Sequence, residues 1–324
     1  MIGRLAFVLL LVLATARPVA AVELALPVDC TPGRDCFIQN YVDNDPGPGR
    51  RDYACGPLSY DGHVGTDFRV PDRAAMLHGV AVVAAAPGVV RATRDGMADI
   101  SIRETGREAV AGREAGNSVL IDHGDGWETQ YSHLRRDSVR VHPGDRVKAG
   151  AVLGLIGLSG LTEFPHVHFE VRHKGRPLDP FVGSEPVACG ASGPGLWRAE
   201  IRERVAYQAT GGLAAGFAGA APEAEAVRRG EQEAPTRKAP ALVFWVDLFG
   251  VTVGDEQRFR LVGPDGAVLV DSRQILAESK VAWFAFTGKR TPAEGWAPGS
   301  YRGDYVLTRA GTEVMRLVRE VELR

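Results

Sequence analysis

Apolar and polar residues alternate with period two in two stretches of the chain, residues 36–181 and 241–324. A strand with that pattern turns one face to a core and the other to solvent or a site. In the first stretch, residues 117–122 and 127–133 alternate on either side of His123-Gly-Asp-Gly126 and predict an antiparallel hairpin. On this reading Trp127, Thr129, Tyr131 and His133 share one face. Pro143-Gly-Asp145 marks the next turn, ahead of a strand-like run over residues 146–157. Almost no segment has helical period, so an antiparallel β domain is expected. Residues 95–116 are polar and turn-rich and read as a long loop, of a kind that often lines functional sites.

The second stretch carries short strands at residues 242–249, 258–262, 267–270, 281–287, 301–308 and 314–323. Gly263-Pro-Asp-Gly266 and Ala310-Gly311 punctuate them, and the spacing predicts a β-sandwich of immunoglobulin-like type over 241–324. This stretch has no histidine or cysteine, so the chemistry is expected in the first. Between them, residues 191–240 are rich in Gly, Ala, Glu and Pro and read as a linker. The first strand of the next domain is placed near residues 204–209. The fold class is therefore all-β, with an antiparallel sheet domain ahead of a sandwich.

Composition changes this picture little. A chain of 324 residues, 45% hydrophobic, can build two cores. Its formal charge of −2 offers no basic surface to nucleic acid. The N-terminus is more informative. Arg4, an apolar run over residues 5–16 and the small residues of Val19-Ala20-Ala21 read as a signal peptide spanning residues 1–21. Arg17 and Pro18 stop the run short of the roughly 20 apolar residues a membrane span needs. An exported protein, periplasmic or secreted and not membrane-spanning, is expected. Cys30, Cys36, Cys55 and Cys189 then predict two disulfides, and no Cys-x-x-Cys offers a thiolate zinc site. A hairpin between Tyr41 and Tyr53 favours Cys36–Cys55 with Cys30–Cys189; the rival pairing is Cys30–Cys36 with Cys55–Cys189.

Three motifs carry candidate chemistry. In Pro165-His-Val-His-Phe-Glu-Val-Arg172, a strand puts His166, His168, Glu170 and Arg172 on one face and Val167, Phe169 and Val171 on the core side. In Asp61-Gly-His-Val-Gly-Thr-Asp67, glycines and β-branched residues oppose a helix, and a bend into a strand can bring His63 and Asp67 to one centre. Tyr131-Ser-His133 closes a hairpin strand. Singly, each is as well explained by turn or sheet-surface residues. Together they supply two histidines and a carboxylate for a three-ligand catalytic zinc site with an open position. Two histidines are then left over for acid–base work or charge stabilisation. The residues alone do not say which of His166 and His168 is the ligand. His78, His123, His142 and His173 read as solvated turn residues.

His63-x-x-x-Asp67, Tyr131-x-His133 and His166-x-His168 resemble, in order and surroundings, the lysostaphin-like (LytM-type) zinc endopeptidases. The likeness runs over about residues 60–181, within a peptidase domain placed at 22–190. It implies one Zn2+ per chain, held by His63, Asp67 and His168, with His133 and His166 catalytic. It also implies hydrolysis of peptide bonds in peptidoglycan stems or cross-bridges. The alternative is an inactive relative that binds wall or activates another hydrolase. The C-terminal sandwich is the expected surface for any protein partner.

Overall fold

The computed structural model describes residues 21–186, 188–190 and 193–324, so the expected signal peptide lies outside the described residues except for Ala21. The first region contains β1 (Phe37–Asn40), β2 (Thr66–Arg69), α1 (Arg73–His78), β3 (Ala81–Val83) and β4 (Gly88–Arg94). After α2 (Ile102–Thr105) come β5 (Asn117–Gly124), β6 (Trp127–Leu134), β7 (Arg146–Val147), β8 (Val152–Leu155), β9 (His166–His173) and β10 (Arg176–Leu178). Eight of these strands form an antiparallel sheet in the order β1-β2-β9-β6-β5-β4-β7, with β10 also on β9, while β3 and β8 pair separately. Strand β9 lies between β2 and β6, and its alternation is as expected. Val167, Phe169 and Val171 are buried, with Phe169 against Tyr131 and Trp197. The β5–β6 hairpin turns through Asp125 and Gly126, both with positive φ, a two-residue turn that matches strand twist. Within residues 95–116 the chain is largely irregular, broken by α2 and one 3-10 turn at Arg107–Val110.

The core of this region recruits residues well beyond 190. Leu196, Trp197, Ile201, Val205, Leu213 and Phe249 belong to the same buried cluster as Phe68 and Phe169. Leu24 donates its amide to the Leu196 carbonyl, and Tyr207 donates its hydroxyl to buried Asp52 at 2.8 Å. Residues 191–240, read above as a linker, carry α3 (Ala199–Arg202), β11 (Gly211–Ala218) and α4 (Ala224–Arg229). The strand of this stretch is thus Gly211–Ala218 and not residues 204–209. Its glycines are required by close packing: an added Cβ would lie 2.1 Å from the Phe249 ring at Gly211 and 2.7 Å from Trp245 at Gly216.

Strand β11 then pairs with β12 (Ala241–Val251). The chain continues through β13 (Glu256–Val262), β14 (Val268–Ile275), β15 (Lys280–Arg290), β16 (Gly299–Arg309) and β17 (Thr312–Leu323). A three-stranded sheet, β11-β12-β15, faces a four-stranded one, β14-β13-β16-β17, across a core that includes Phe244, Val246, Phe259 and Tyr305. This is a β-sandwich. Among the described residues, no helix is long and apolar enough to cross a membrane.

The disulfides are Cys30–Cys36 and Cys55–Cys189, correcting the preferred pairing. Residues 41–53 form no paired strands; their loop is organised by the Asp43 carboxylate, which accepts from the amides of Asp45, Arg51 and Gly62. Cys55 is therefore not returned to Cys36. Instead Gly190 donates to the Tyr53 carbonyl, which brings Cys189 alongside Cys55.

Candidate metal centre

Strands β2 and β9 are in register so that Asp67 lies opposite His168 and Arg69 opposite His166. His63 arrives from the bend ahead of β2. Three donor atoms meet there: His63 Nε2, Asp67 Oδ1 and His168 Nδ1, separated by 3.2, 3.0 and 3.1 Å. Tetrahedral zinc with bonds of 2.0–2.1 Å needs ligand atoms about 3.3 Å apart, so the triangle is close to the right size. Both residue types are ordinary zinc donors. Among the described residues, a second close donor group, Cys30, Asp35 and Cys36, is closed off by its disulfide.

Each donor is fixed from behind. His63 donates Nδ1–H to the Tyr41 carbonyl at 2.7 Å, which leaves Nε2 free of hydrogen. The free oxygen of Asp67, Oδ2, accepts from Asn40 Nδ2 at 2.8 Å, across the β1–β2 pair. The His168 ring lies on Gly65, where an added Cβ would be 2.5 Å from Cε1 and 2.6 Å from Nε2. His63, Asp67, His133 and His166 are buried, and the His168 side chain is 13% exposed.

Burial by itself would push the Asp67 carboxyl up, but the His63 and His166 rings hold it well below the usual carboxylate range. Burial depresses His168, and the neighbouring Asp67 only partly reverses this. For His63, burial is more than offset by the Asp67 carboxylate and the Tyr41 carbonyl, and its pKa is raised. A buried anion facing imidazoles is the donor set a divalent cation would find.

His133 and His166 flank this triangle, their rings 4.7 Å apart. His166 donates Nδ1–H to the Phe164 carbonyl at 2.9 Å, and its Nε2 lies 3.4 Å from Asp67 Oδ1. His133 donates Nδ1–H to the Ser159 carbonyl at 2.8 Å, and its ring lies 6.0 Å from that of His168. Burial, then the proximity of His166 and His168, hold His133 well below its ordinary pKa, so it is neutral at pH 7.

His133 does not share a face with Tyr131, as strict alternation required. The β5–β6 register shifts between Asn117 and Val119, and His133 has φ +63°. That extra residue on β6 turns the imidazole away from the core face, where Tyr131 lies on Phe169, and toward His166 and His168. The polar loop also serves the site: Ala115 accepts the His133 amide, and Glu114 accepts that of Leu161.

Residues 61–180 match peptidase family M23. This stretch is an M23 domain. The cell division protein DipM of Caulobacter vibrioides is 39% identical over 84 residues, covering 23% of this chain and 14% of that protein. The peptidoglycan DD-endopeptidase ShyA of Vibrio cholerae is 32% identical over 126 residues, covering 39% of this chain and 24% of its own length. A solved structure of a zinc-containing peptidase from Vibrio cholerae aligns at 28% identity with a TM-score of 0.29, over 45% of this chain and 39% of that one. The matched stretch thus spans less than a quarter of either curated relative.

Sequence reasoning missed Asn40 and Tyr41, which support two donors from ahead of the M23 stretch, and Ser159, which supports His133. Only their neighbours in space reveal them. Of the remaining histidines, His78 and His142 are exposed as expected. His123 and His173 are not solvated turn residues. His123 links the Pro87 carbonyl to the Thr129 hydroxyl, and His173 stacks on Trp127 at 4.3 Å.

Proposed function

We propose that this protein is an exported zinc metallopeptidase that hydrolyses peptide bonds of peptidoglycan, in stems or cross-bridges. The observation that carries this reading is the triangle of His63, Asp67 and His168, with two more histidines beside it whose tautomers are set by backbone carbonyls. The assignment of one Zn2+ per chain to that triangle, and of catalytic roles to His133 and His166, belongs to the same proposal. So do the division into a peptidase unit and a sandwich, with residues 196–205 packed into the peptidase core, export to the periplasm or medium, and a partner-binding role for the sandwich.

When bound, zinc supplies Lewis acidity toward a peptide carbonyl. The chain's own residues do the rest. Asp67 and His63 fix the charge and position of the centre, and Gly65 lets the His168 ring approach. With Nδ1–H committed, His133 and His166 each keep an Nε2 lone pair, and that of His166 lies 3.4 Å from Asp67 Oδ1. Either can take a proton from attacking water, and once protonated can donate to the oxygen on which charge develops. An inactive relative would lack one or more of these groups, and all five are assembled.

Digestion of purified sacculi by the zinc-loaded protein is the test. New amino groups without new reducing ends, abolished by a chelator, are expected. New reducing ends would show glycan cleavage and a different enzyme class.

A further inference from the structure

A chain of ion pairs runs from the sandwich to the rim of the catalytic face. Asp247, buried in the middle of β12, accepts two hydrogen bonds from Arg228 of α4 at 2.7 and 2.8 Å. Arg228 also donates to Glu225 Oε1 at 2.9 Å, and the same oxygen accepts from Arg103 at 2.9 Å. Arg103 then grips Glu163 through Nε and a terminal nitrogen, at 3.1 and 2.8 Å. Glu163 stands three residues before His166 and next to Phe164, whose carbonyl sets the His166 tautomer.

Phe164 is also held through its ring. The Arg69 guanidinium carbon stands 4.6 Å from the centre of the Phe164 ring. Arg69 is buried, yet among the described residues no carboxylate oxygen lies within 4.0 Å of it. It donates instead to the carbonyls of Val70 and Pro71 and to the side chain of Gln39. Burial holds its pKa down, to about 10. A buried cation satisfied by backbone and an aromatic face fixes geometry more than charge.

We propose that Arg69, Arg103 and Arg228 are positioning residues: together they clamp the Glu163–Phe164 segment, so that the C-terminal sandwich sets the orientation of the His166 ring. The inference rests on the peptidase reading for its kinetic consequence, and on contacts alone for its structural one. Glu225 is the link to cut. Its side chain is 42% exposed, and removing its charge leaves Arg228 on Asp247 and Arg103 on Glu163. Folding should therefore survive a change there. The middle of the chain is also exposed enough to be screened by salt.

The experiment uses the full-length, zinc-loaded protein and Glu225→Gln, Arg103→Gln and the double variant. Each should keep its zinc and melt close to wild type. Each should lose about 3- to 10-fold in kcat at unchanged KM, and the double variant should lose no more than either single one, as for links of one chain. Arg103→Lys, which keeps charge without the planar fork, should recover part of the loss. Imidazole resonances of histidine-labelled protein should show His166 shifted or broadened in Glu225→Gln, with the same change in wild type at high salt. Unaltered His166 resonances and kcat in a folded Glu225→Gln would overturn the proposal and leave the chain as domain adhesion. If wild type cleaves no peptide at all, the peptidase reading fails, and the His166 resonances still decide whether the clamp exists.

Discussion

The Ser159 carbonyl fixes the His133 ring, accepting Nδ1–H at 2.8 Å, from a His133 backbone held at φ +63°. A left-handed backbone costs a residue with a side chain about 1–2 kcal/mol relative to glycine. The fold tolerates that strain at a residue whose ring adds nothing to the core, which points to function.

His133→Ala should therefore keep its zinc and lose about 10²- to 10⁴-fold in kcat. His133→Gly should be equally inactive but more stable than the alanine variant by about 1 kcal/mol in denaturant titrations. Metal loss in either would make His133 a ligand and the division of roles wrong.

Gly65→Ala tests the approach of the His168 ring. The backbone at Gly65 is not left-handed, so alanine suits its conformation, and the obstacle is the ring 2.5 Å from the new Cβ. The ring must move, because the opposing backbone belongs to the paired β2–β9 core. Zinc affinity should fall by at least about tenfold, the scale of a displaced supporting group, with the fold retained by circular dichroism. Unchanged affinity would show that His168 has freedom the packing denies it.

What the sequence disclosed follows physical range. The face on which His166 and His168 lie was legible because strand period is local and Val167, Phe169 and Val171 declare the core side. The His133 bulge was not, since nothing between Gln130 and Leu134 breaks the alternation; the cause is the neighbouring strand, where Asn117 pairs with Leu134. Strand β11 was hidden by composition: Gly211, Gly212 and Gly216 look like linker residues until Phe249, Leu317 and Trp245 are seen against them. The cysteine pairing depended on how residues 41–53 fold, and Asp43 organises them as a loop.

The two disulfides should differ in worth. Cys55–Cys189 closes a separation of 134 residues and Cys30–Cys36 only 6. Loop-closure entropy assigns about 4–5 kcal/mol to the first and about 2 to the second. Cys189→Ser with Cys55→Ser should lower the unfolding free energy by about 3 kcal/mol more than the Cys30/Cys36 pair of changes. The removed long bridge should also loosen the segment carrying Tyr41, and with it His63. Equal losses would indicate that the unfolded chain already holds residues 55 and 189 together.

A proposed ligand and its support are separable at Asp67 and Asn40. Asp67 turns Oδ1 toward His63 and His168 and receives a hydrogen bond from Asn40 on Oδ2, so in the proposed zinc site the two residues would act in series. Asp67→Ala removes one of three donors and leaves His63 and His168 facing each other at 3.1 Å with no charge between them. Metal analysis should find one equivalent of zinc in wild type and far less in this variant. Asn40→Ala leaves all three donors but frees the carboxylate to rotate, which should cost about 10- to 100-fold in zinc affinity without abolishing binding. Because Asn40 lies on β1, outside the M23 stretch, a loss there would show that the N-terminal segment completes the site. Full zinc occupancy in Asp67→Ala under competition with a chelator would remove Asp67 from the ligand set, and the reading of Asn40 with it.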